Sequence, residues 1–500
     1  MLDTRYIIGI DIGTTNIKGS LYSSSGNLIT SSSTAYESYY PKENYHEQNP
    51  DDWVSGFLQV LTKLIINNGV KENLIALSLS TQGGTVIPVD QNFKPLTRAI
   101  TWLDRRSEEI LKNNKKLLTK NIEFYKKTGW RIDSNISFMP LYWLRENRRV
   151  VFDKINRVLY VNDYVLKKIT GSSYQDPSNS SITLFYNITT GKWDKGILDL
   201  LGFNENNFSE VKNPGEFVGY LDEKICKKLD IKSKVKVING SHDQFCAGIG
   251  AGILDEGEIL LATGTAWVIF KMLDRLLLDN KKFFAIERFL VKKNDVKDKF
   301  GLIYSIPAAG ASLKWFATNV MSLDSEDRLF KIINENTGKL IKIRNNIIFY
   351  PYLTGASGPD FDVNRKASFL NVEIGHNHLD LIKAIMEGIG FQLKKILEIL
   401  KEKKIEASSI KMVGGGAKSK IWPQIIADIT NLNILIPENK NEDFASKGAA
   451  IIAGCGAGIF SSLEKGYNKL KLEFKAIRPN PRNVEFYRSK FRLFLHDKHM

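Results

Sequence analysis

The chain has 500 residues with 70 Lys and Arg against 55 Asp and Glu, which gives a formal net charge of +15. Hydrophobic residues make up 43% and charged residues 25%. These proportions are typical of a folded globular protein and exclude a disordered chain and a membrane-embedded one. A single hydrophobic core rarely supports this length, so we predict two domains, residues 1–249 and 250–500.

The positive charge could attract nucleic acid, an anionic membrane or a phosphorylated ligand. Its lysines are scattered among Asn and Ile, without the aromatic residues that stack on bases, so we expect no nucleic-acid partner. Cys226, Cys246 and Cys455 are odd in number and far apart, which excludes a disulfide framework and a C-x-x-C metal site. The sequence shows neither a signal peptide nor an apolar run of membrane length, so we expect a cytoplasmic protein without a membrane partner.

The first elements form a meander followed by a helix. Tyr6 to Ile10 is an apolar strand that ends on the carboxylate of Asp11. A second strand is predicted from about Thr15 to Tyr22 and a third around Leu28 to Ser32. A helix is predicted within Asn49 to Gly69, because an Asx and Pro start signal precedes apolar residues at helical spacing: Trp53, Phe57, Leu61 and Leu64.

The rest of the first half alternates strands and helices. Strands are predicted at Leu74 to Ser80 and Arg98 to Asp104, and helices at Leu141 to Asn147 and Asp163 to Thr170. Another strand is predicted to end at Asn239, where Gly240 and Ser241 bend the chain and His242, Asp243 and Gln244 start a helix of small residues. The fold class is therefore α/β.

The pattern begins again beyond about Gly250. A strand, a turn and a return strand are predicted in Gly257 to Leu273, a long helix in His378 to Leu400, and a strand, glycine loop and helix in Ile410 to Thr430. Both halves thus contain a strand, a Gly-Thr turn and a return strand, at Asp11 to Lys18 and at Leu261 to Ile269. This repetition indicates two related domains.

A tight Gly-Thr turn presents backbone N–H groups and a hydroxyl to anionic oxygens. Two such turns could bind the two ends of a polyphosphate. Lys18 could add a cationic contact, and Asp11 could hold a magnesium ion through water. The alternative for Asp11 is a residue that merely starts the turn.

Asp243 lies where a strand meets a helix. A carboxylate at such a junction could accept a hydroxyl proton during phosphoryl transfer. The alternatives are an Asp that caps the helix and His242 as the base. The glycines of Val413 to Ser419 match neither a Walker A loop nor G-x-G-x-x-G, but they allow close backbone contact with adenine or ribose.

Together these residues resemble the FGGY family of carbohydrate kinases, which has the two-domain actin and sugar-kinase (ribonuclease H-like) ATPase fold with a central cleft. The resemblance runs almost from end to end through seven blocks: GIDIGTTNIK (9–18), ITWLDRR (100–106), GSHDQFCAGIGAG (240–252), ATGTA (262–266), PYLTGASGPDFDVNRKASFLNV (351–372), AIMEGIGFQL (384–393) and GGGAKSKIWPQIIAD (414–428).

The resemblance implies an ATP-dependent kinase that uses Mg²⁺ and phosphorylates a primary hydroxyl of a ketose or polyol. Asp243 matches the general base, and Asp11 is the second catalytic residue and the metal ligand. The ATP-binding positions are Gly13, Thr14, Thr15, Lys18, Gly264, Thr265, Gly415, Gly416 and Lys418. The substrate-binding positions are Gln82, Gly83, Gly84, Trp102, Asp104 and Asp243.

Two departures from the family pattern stand out. Pro140 replaces a frequent Lys three residues before Trp143, which we interpret as structural. Ala356 and Ser357 replace a Glu-Arg pair and bear on sugar or interdomain contacts.

The substrate is expected to be a pentulose such as xylulose. In the glycerol kinases of this family an Arg and a Glu match Gly83 and Gly84, and in xylulokinases a His matches Gly84. The runner-up is a longer sugar or other polyol. The rival class is a non-catalytic sensor on the same fold, which would need neither Asp243 nor the TWLD segment. A homodimer is compatible with the sequence.

Overall fold

The structure is a computed structural model that describes residues 5–66, 68–290, 292, 297–356, 358–362 and 364–496. It divides into two compact units. Unit 1 consists of Met1–Leu254, Met272–Leu302 and Asp443–Lys471, and unit 2 of Asp255–Lys271, Ile303–Glu442 and Leu472–Met500. Each unit combines stretches that are distant in the chain, and the single boundary between residues 249 and 250 stays a prediction.

The longer strands belong to two sheets or flank them: β1 (Tyr6–Ile12), β2 (Asn16–Ser23), β3 (Leu28–Ala35), β4 (Leu74–Thr81), β5 (Phe217–Tyr220), β6 (Lys236–His242), β7 (Glu258–Thr263), β8 (Trp267–Leu273), β9 (Ala285–Leu290), β10 (Lys299–Ile306), β11 (Ser409–Gly414), β12 (Asn433–Pro437) and β13 (Phe474–Ile477). Short strands form additional pairs: Glu47–Gln48 with Ala99–Ile100, Ile87–Val89 with Arg157–Leu159, Tyr174–Gln175 with Glu210–Val211, Tyr186–Asn187 with Lys192–Trp193, and Ile348–Tyr350 with Ser368–Leu370.

The first sheet has the order β5-β6-β4-β1-β2-β3. Strands β1, β2 and β3 are antiparallel neighbours, as the predicted meander requires. On the other side, β1 pairs in parallel with β4, and β4 pairs in parallel with β6. This register places Asp11 between Lys18 of β2 and Ser80 of β4.

The second sheet has seven strands in the order β9-β10-β8-β7-β11-β12-β13, and its part from β10 to β13 repeats this connectivity. Strand β7 pairs antiparallel with β8 and parallel with β11, and β11 pairs in parallel with β12. The outer strand β13 is antiparallel to β12, as β5 is to β6. The repeat predicted from the two Gly-Thr turns is confirmed, and the α/β fold class is the one expected.

The helices, in chain order, are α1 (Pro50–Ile66), α2 (Glu108–Asn113), α3 (Lys115–Thr119), α4 (Asn121–Thr128), α5 (Phe138–Asn147), α6 (Arg149–Phe152), α7 (Val161–Thr170), α8 (Pro177–Ser181), α9 (Lys195–Leu198), α10 (Glu223–Leu229), α11 (Asp243–Ala251), α12 (Ala309–Trp315), α13 (Glu326–Glu335), α14 (Thr337–Lys342), α15 (His378–Glu402), α16 (Trp422–Thr430), α17 (Phe444–Gly456), α18 (Leu463–Leu470) and α19 (Pro481–His496). Within the described part of the chain, none of these helices has the length and apolar character needed to cross a membrane.

Helix α1 covers the first sheet and confirms the predicted helical spacing. Its four predicted apolar residues, Trp53, Phe57, Leu61 and Leu64, have no exposed surface. Pro50 occupies the first turn, where its missing N–H is not needed. The acidic first turn and Lys63 in the last turn suit the helix dipole.

Helix α17 packs directly on the first strand, although the two are far apart in the chain. A Cβ atom at Gly9 would overlap the carbonyl oxygen of Ser446. Helix α17 also packs against α11 at very short range, because a Cβ atom at Gly448 would overlap the carbonyl of Cys246. Glycine is therefore required at both contacts for steric reasons.

Two element predictions are wrong in part. Only Ala99–Ile100 of the predicted strand Arg98 to Asp104 is extended. The chain then turns, because the N–H of Asp104 donates to the carbonyl of Thr101 and its side chain accepts from the N–H of Arg106. The strand predicted to end at Asn239 continues to His242, with a register shift between Ile238 and Ser241 instead of a bend.

The departures from the family pattern lie in different surroundings. Pro140 is buried in the first turn of α5, where helix N–H groups have no intrahelical acceptor, so proline fits without the loss of a hydrogen bond. Ala356 is buried, whereas Ser357 lies outside the described residues.

Candidate functional site

The first predicted phosphate turn links β1 to β2 in unit 1. The N–H of Gly13 donates to the carbonyl of Asn16 at 3.1 Å and closes the turn. Among the described residues, no acceptor lies within hydrogen-bond distance of the backbone N–H groups of Thr14 and Thr15. Two adjacent N–H groups without protein partners are what an anion-binding nest needs, and the binding of phosphate here stays a prediction.

A buried network holds the carbonyl side of this turn. The hydroxyl of Tyr36 donates to the carbonyl of Gly13. The Gln48 amide donates to the carbonyl of Thr14 at 2.7 Å. Gln82, a predicted substrate residue, donates to Oε1 of Gln48 at 2.9 Å and is itself buried. The network fixes the carbonyls inward, which leaves the N–H side of the turn for a ligand.

Asp11 lies at the centre of a negatively charged cluster. Its Oδ1 accepts a hydrogen bond from Ser80 at 2.6 Å, and its side chain is largely buried. Burial raises the pKa of Asp11 well above its usual value, and the carboxylates of Asp443 and Asp243 raise it further. The site therefore concentrates negative charge that a bound cation would balance.

Lys18 faces the same cluster from the return strand. Its ammonium lies 3.1 Å from a carboxylate oxygen of Asp443, and this carboxylate is the main reason why the pKa of Lys18 is raised. About half of the Lys18 side chain is exposed. Lys18 stays cationic at neutral pH and is accessible to an anionic ligand.

Asp243 is the first residue of α11, and its side chain does not cap the helix. Oδ1 accepts a hydrogen bond from the amide of Gln244 at 3.0 Å, and Nε2 of His242 lies 3.2 Å from Oδ1, within ion-pair distance. Within the described part of the chain, no protein donor contacts Oδ2. The alternative that Asp243 serves only as a capping residue thus has no hydrogen bond to support it.

The glycines of the predicted sugar site adjoin bulky neighbours. A Cβ atom at Gly83 would lie 2.8 Å from Nε2 of His242, so the imidazole occupies the space of a side chain there. Gly84 has φ of 74° and a Cβ atom there would lie 3.4 Å from Cβ of Trp102. The indole of Trp102 is 38% exposed, and its N–H donates to the hydroxyl of Thr14 at 3.1 Å.

Asp104 is buried, and its carboxylate accepts four hydrogen bonds from protein donors. Its carboxylate accepts hydrogen bonds from the backbone N–H groups of His46 and Arg106 and two more from the Arg106 guanidinium. A carboxylate has about four acceptor positions, so a sugar hydroxyl would have to displace one of these donors. These hydrogen bonds of Asp104 hold in place the segment that carries Trp102.

Unit 2 contains the second predicted phosphate turn. Gly264 and Thr265 are exposed between β7 and β8, and they border a cavity of about 190 Å³. The glycine loop after β11 contributes Gly415 and Gly416 to the same cavity. The remaining wall includes Lys314 and six further residues: Thr263, Trp267, Gly310, Ala311, Phe330 and Trp422.

The glycine loop approaches the second turn closely. A Cβ atom at Gly416 would lie 3.0 Å from the side chain of Thr263. Lys418, also predicted to contact ATP, does not border the cavity and instead donates to Asn441 at 3.0 Å. The structure thus brings together four of the predicted nucleotide residues of unit 2 but not Lys418.

We expect Gly310→Ala to weaken nucleotide use. A Cβ atom at position 310 would overlap the carbonyl oxygen of Gly264 and push the second turn away. Because misplacement by about 1 Å can cost up to about 10²-fold in rate, kcat/KM for ATP should fall by up to that factor. Initial rates over a range of ATP concentrations measure this. Gly338→Ala is the control, since a Cβ atom there has no neighbour within 4 Å.

Several site residues were not anticipated from the sequence. The carboxylate of Asp443 acts on Asp11, although the two residues are far apart in the chain. Glu287, also distant in sequence, contacts His242, the residue before Asp243. Glu287, on β9, accepts from Nδ1 of His242 at 2.8 Å and is fully buried. Two adjacent charged residues, Glu287 and Arg288, in the otherwise apolar strand Ala285–Leu290 were the available signal, because charged side chains are rarely buried without a partner.

Two family descriptions match most of this chain. The N-terminal domain of the FGGY family of carbohydrate kinases matches residues 6–250, and the C-terminal domain of the same family matches residues 284–457. The first match includes the predicted phosphate turn from Asp11 to Lys18, and the second includes the glycine loop from Val413 to Ser419.

Similar proteins of known identity cover the chain from end to end. Xylulose kinase of Bacillus subtilis (strain 168) is 30% identical over 98% of this chain and 96% of its own length. Gluconokinase of the same strain is 26% identical over 92% and 89%. The crystal structure of ligand-bound xylulose kinase from Lactobacillus acidophilus, with 24% identity, superimposes with a TM-score of 0.88 over 98% of this chain and 97% of that one. The protein belongs to the FGGY family of carbohydrate kinases and phosphorylates a carbohydrate with ATP.

Proposed function

We propose that the substrate is a pentulose, with xylulose the leading candidate, and that Asp243 is the general base. The observation that carries the base assignment is Oδ2 of Asp243, which has no protein donor among the described residues, whereas Oδ1 accepts a hydrogen bond from the Gln244 amide. The side chain is 27% exposed, so a ligand can reach it. The similarity to a xylulose kinase over the whole chain supports the sugar.

The transfer needs little from the protein beyond positioning and charge. Oδ2 of Asp243 accepts the proton of the sugar hydroxyl as the hydroxyl oxygen bonds to the γ-phosphorus of ATP. The bond from that phosphorus to the bridging oxygen breaks, and ADP leaves with the electron pair. The N–H groups of Thr14 and Thr15 and the ammonium of Lys18 supply donors for phosphate oxygens.

Mg²⁺ fits the Asp11 cluster through water. The described residues include no group of three Asp, Glu, His or Cys side chains that could hold a metal ion directly. Asp11 is nevertheless surrounded by two further carboxylates and has a raised pKa. Magnesium usually keeps several waters and binds through one or two carboxylates plus substrate phosphates, which matches this donor set. When bound, it would neutralise charge on the phosphates.

We expect longer substrates to be preferred over glycerol. Gly83 and Gly84 offer no side chain to the hydroxyls of a triol, while the exposed indole of Trp102 offers an apolar face for sugar carbons. A panel of pentuloses, hexuloses, aldonates and alditols, followed by coupled ADP release, should give a best kcat/KM at least about tenfold above that on glycerol.

The panel also separates the candidates. Highest activity on an aldonate would replace the pentulose by the runner-up class and leave the geometry intact. A kcat/KM on glycerol equal to that on every longer substrate would overturn the proposal. ADP release that no substrate stimulates would favour the non-catalytic sensor.

A further inference from the structure

Thr14 of the predicted phosphate turn is held by two neighbouring side chains. The indole N–H of Trp102 donates to the Thr14 hydroxyl oxygen at 3.1 Å. The side-chain amide of Gln48 donates to the Thr14 carbonyl at 2.7 Å. Both oxygens of Thr14 therefore accept hydrogen bonds from the protein, one at the backbone and one at the side chain.

The direction of the Trp102 hydrogen bond determines where the Thr14 hydroxyl can donate. An indole N–H is a donor only, whereas a hydroxyl has one proton and two lone pairs. The Thr14 oxygen must therefore accept from Trp102, so its own proton points away from the indole. In the part of the chain that the structure describes, this hydroxyl has no protein acceptor, and the backbone N–H of Thr14 has none either. Two donors of one residue are thus available to a ligand.

Trp102 lies in a segment that the protein itself holds in place. The side-chain amide of Asn135 donates to the Trp102 carbonyl at 2.7 Å. Two residues further on, the carboxylate of Asp104 accepts from the backbone N–H groups of His46 and Arg106. The indole of Trp102 therefore projects from a fixed stretch of backbone, as a donor that orients a neighbouring group must.

We propose that Trp102 is a positioning residue for phosphoryl transfer, in addition to offering an apolar face to the sugar. Its N–H orients the Thr14 hydroxyl, which donates its proton to a phosphate oxygen of ATP. Hydrogen bonds to charged oxygens are stronger than those between neutral groups, so the direction of this hydroxyl matters for the reaction. The inference rests on the proposed function, in which this turn receives the phosphates.

A double-mutant cycle tests the proposal. Trp102→Phe keeps an aromatic face but removes the N–H, so kcat/KM for ATP should fall by about three- to tenfold, the contribution of one hydrogen bond. The KM for the best sugar of the panel, xylulose in the expected case, should change by less than about twofold, because a ring face remains. Thr14→Val should lower kcat/KM for ATP by about 10- to 100-fold. In that background Trp102→Phe should have no further effect, because the hydroxyl through which it acts is gone.

Two further backgrounds locate the effect at one hydroxyl. Thr14→Ser keeps a hydroxyl, so the loss caused by Trp102→Phe should persist in it. Thr15→Val removes the neighbouring hydroxyl, which accepts from Asn16 at 2.9 Å, and the loss should persist there as well. A Trp102→Phe effect of full size in the Thr14→Val background would overturn the proposal. So would a raised sugar KM with kcat/KM for ATP unchanged, which indicates that Trp102 serves the sugar alone.

Indole N–H NMR gives a readout that needs no substrate. The chain has eight tryptophans, and the resonance absent in Trp102→Phe identifies this one. Thr14→Val should shift the Trp102 resonance, because its acceptor is lost, whereas Thr15→Val should leave it in place. A resonance that does not respond to Thr14→Val refutes the positioning role.

Calorimetric binding of ATP with Mg²⁺ separates this inference from the proposed reaction. If no sugar of the panel is phosphorylated, the same cycle is measured on ATP affinity instead of kcat/KM. Weaker binding in Trp102→Phe but no further weakening in the Thr14→Val background supports the role of Trp102 and places the failure in the proposed reaction. Equal weakening in both backgrounds overturns the inference.

Discussion

Replacing Asp243 by Asn is expected to lower kcat by about 10² to 10⁴-fold, the range that a positioned base contributes. Asn keeps the size of the side chain but cannot take a proton from the sugar hydroxyl. ATP affinity should stay close to that of the wild type, because no predicted nucleotide contact is removed. Pre-steady-state and steady-state rates, together with calorimetric ATP binding, measure the two effects separately.

The same substitution distinguishes the base from a residue that merely starts helix α11. Asn begins helices about as well as Asp, so a purely structural Asp243 would tolerate it with unchanged kcat. An Asn variant that retains more than about a tenth of kcat, with an unchanged melting temperature, would contradict the base assignment. A large loss of both activity and ATP binding would indicate misfolding instead.

Asp11→Asn should have opposite effects on activity and stability. Removal of the carboxylate that would hold the magnesium ion should lower kcat by about 10² to 10³-fold, as for other single electrostatic groups at reaction centres. The free protein should become more stable, because Asp11 is buried beside the carboxylates of Asp443 and Asp243. A gain of about 1 kcal/mol corresponds to roughly 2 to 4 °C for a domain of 150 to 250 residues.

Thermal unfolding without nucleotide or metal measures the stability change. The matched control is Asp324→Asn, which neutralises a carboxylate that is 74% exposed and pairs with the exposed Arg328. Such a pair contributes little, so the control should leave the melting temperature within experimental error. A destabilised Asp11→Asn variant would mean that the acidic cluster is held mainly by favourable contacts, such as that with Ser80.

The sequence was most informative where a local pattern determines the backbone. The turn at Gly13 and its counterpart at Gly264 were predicted because Gly-Thr between two apolar strands is a common turn sequence, in which glycine adopts backbone conformations that other residues avoid. Helix α1 followed from the spacing of its apolar residues. The TWLD segment misled because alternating apolar residues favour a strand, while side-chain hydrogen bonds to Asp104 turn the chain there.

Residues that come to the site through tertiary packing could not be predicted from local sequence patterns. Asp443 starts a helix in a segment that the sequence assigned to the second half, yet it pairs with Lys18 at 3.1 Å. Glu287 belongs to no motif, and only tertiary packing brings it to Nδ1 of His242, 45 residues earlier in the chain. Lys418 was assigned by its place after the glycine loop, but its side chain donates to Asn441 and does not border the cavity.

The contact of helix α17 with strand β1 has a consequence for biosynthesis. The glycine at position 9 leaves the ribosome 437 residues before the helix residue Ser446 that covers it. At 5 to 20 residues per second, translation of this interval takes roughly 20 to 90 s. Throughout that time one apolar face of the first sheet lacks its helix. The nascent chain therefore carries an unfinished N-terminal unit almost until its release, which is the period when a chaperone has most to protect.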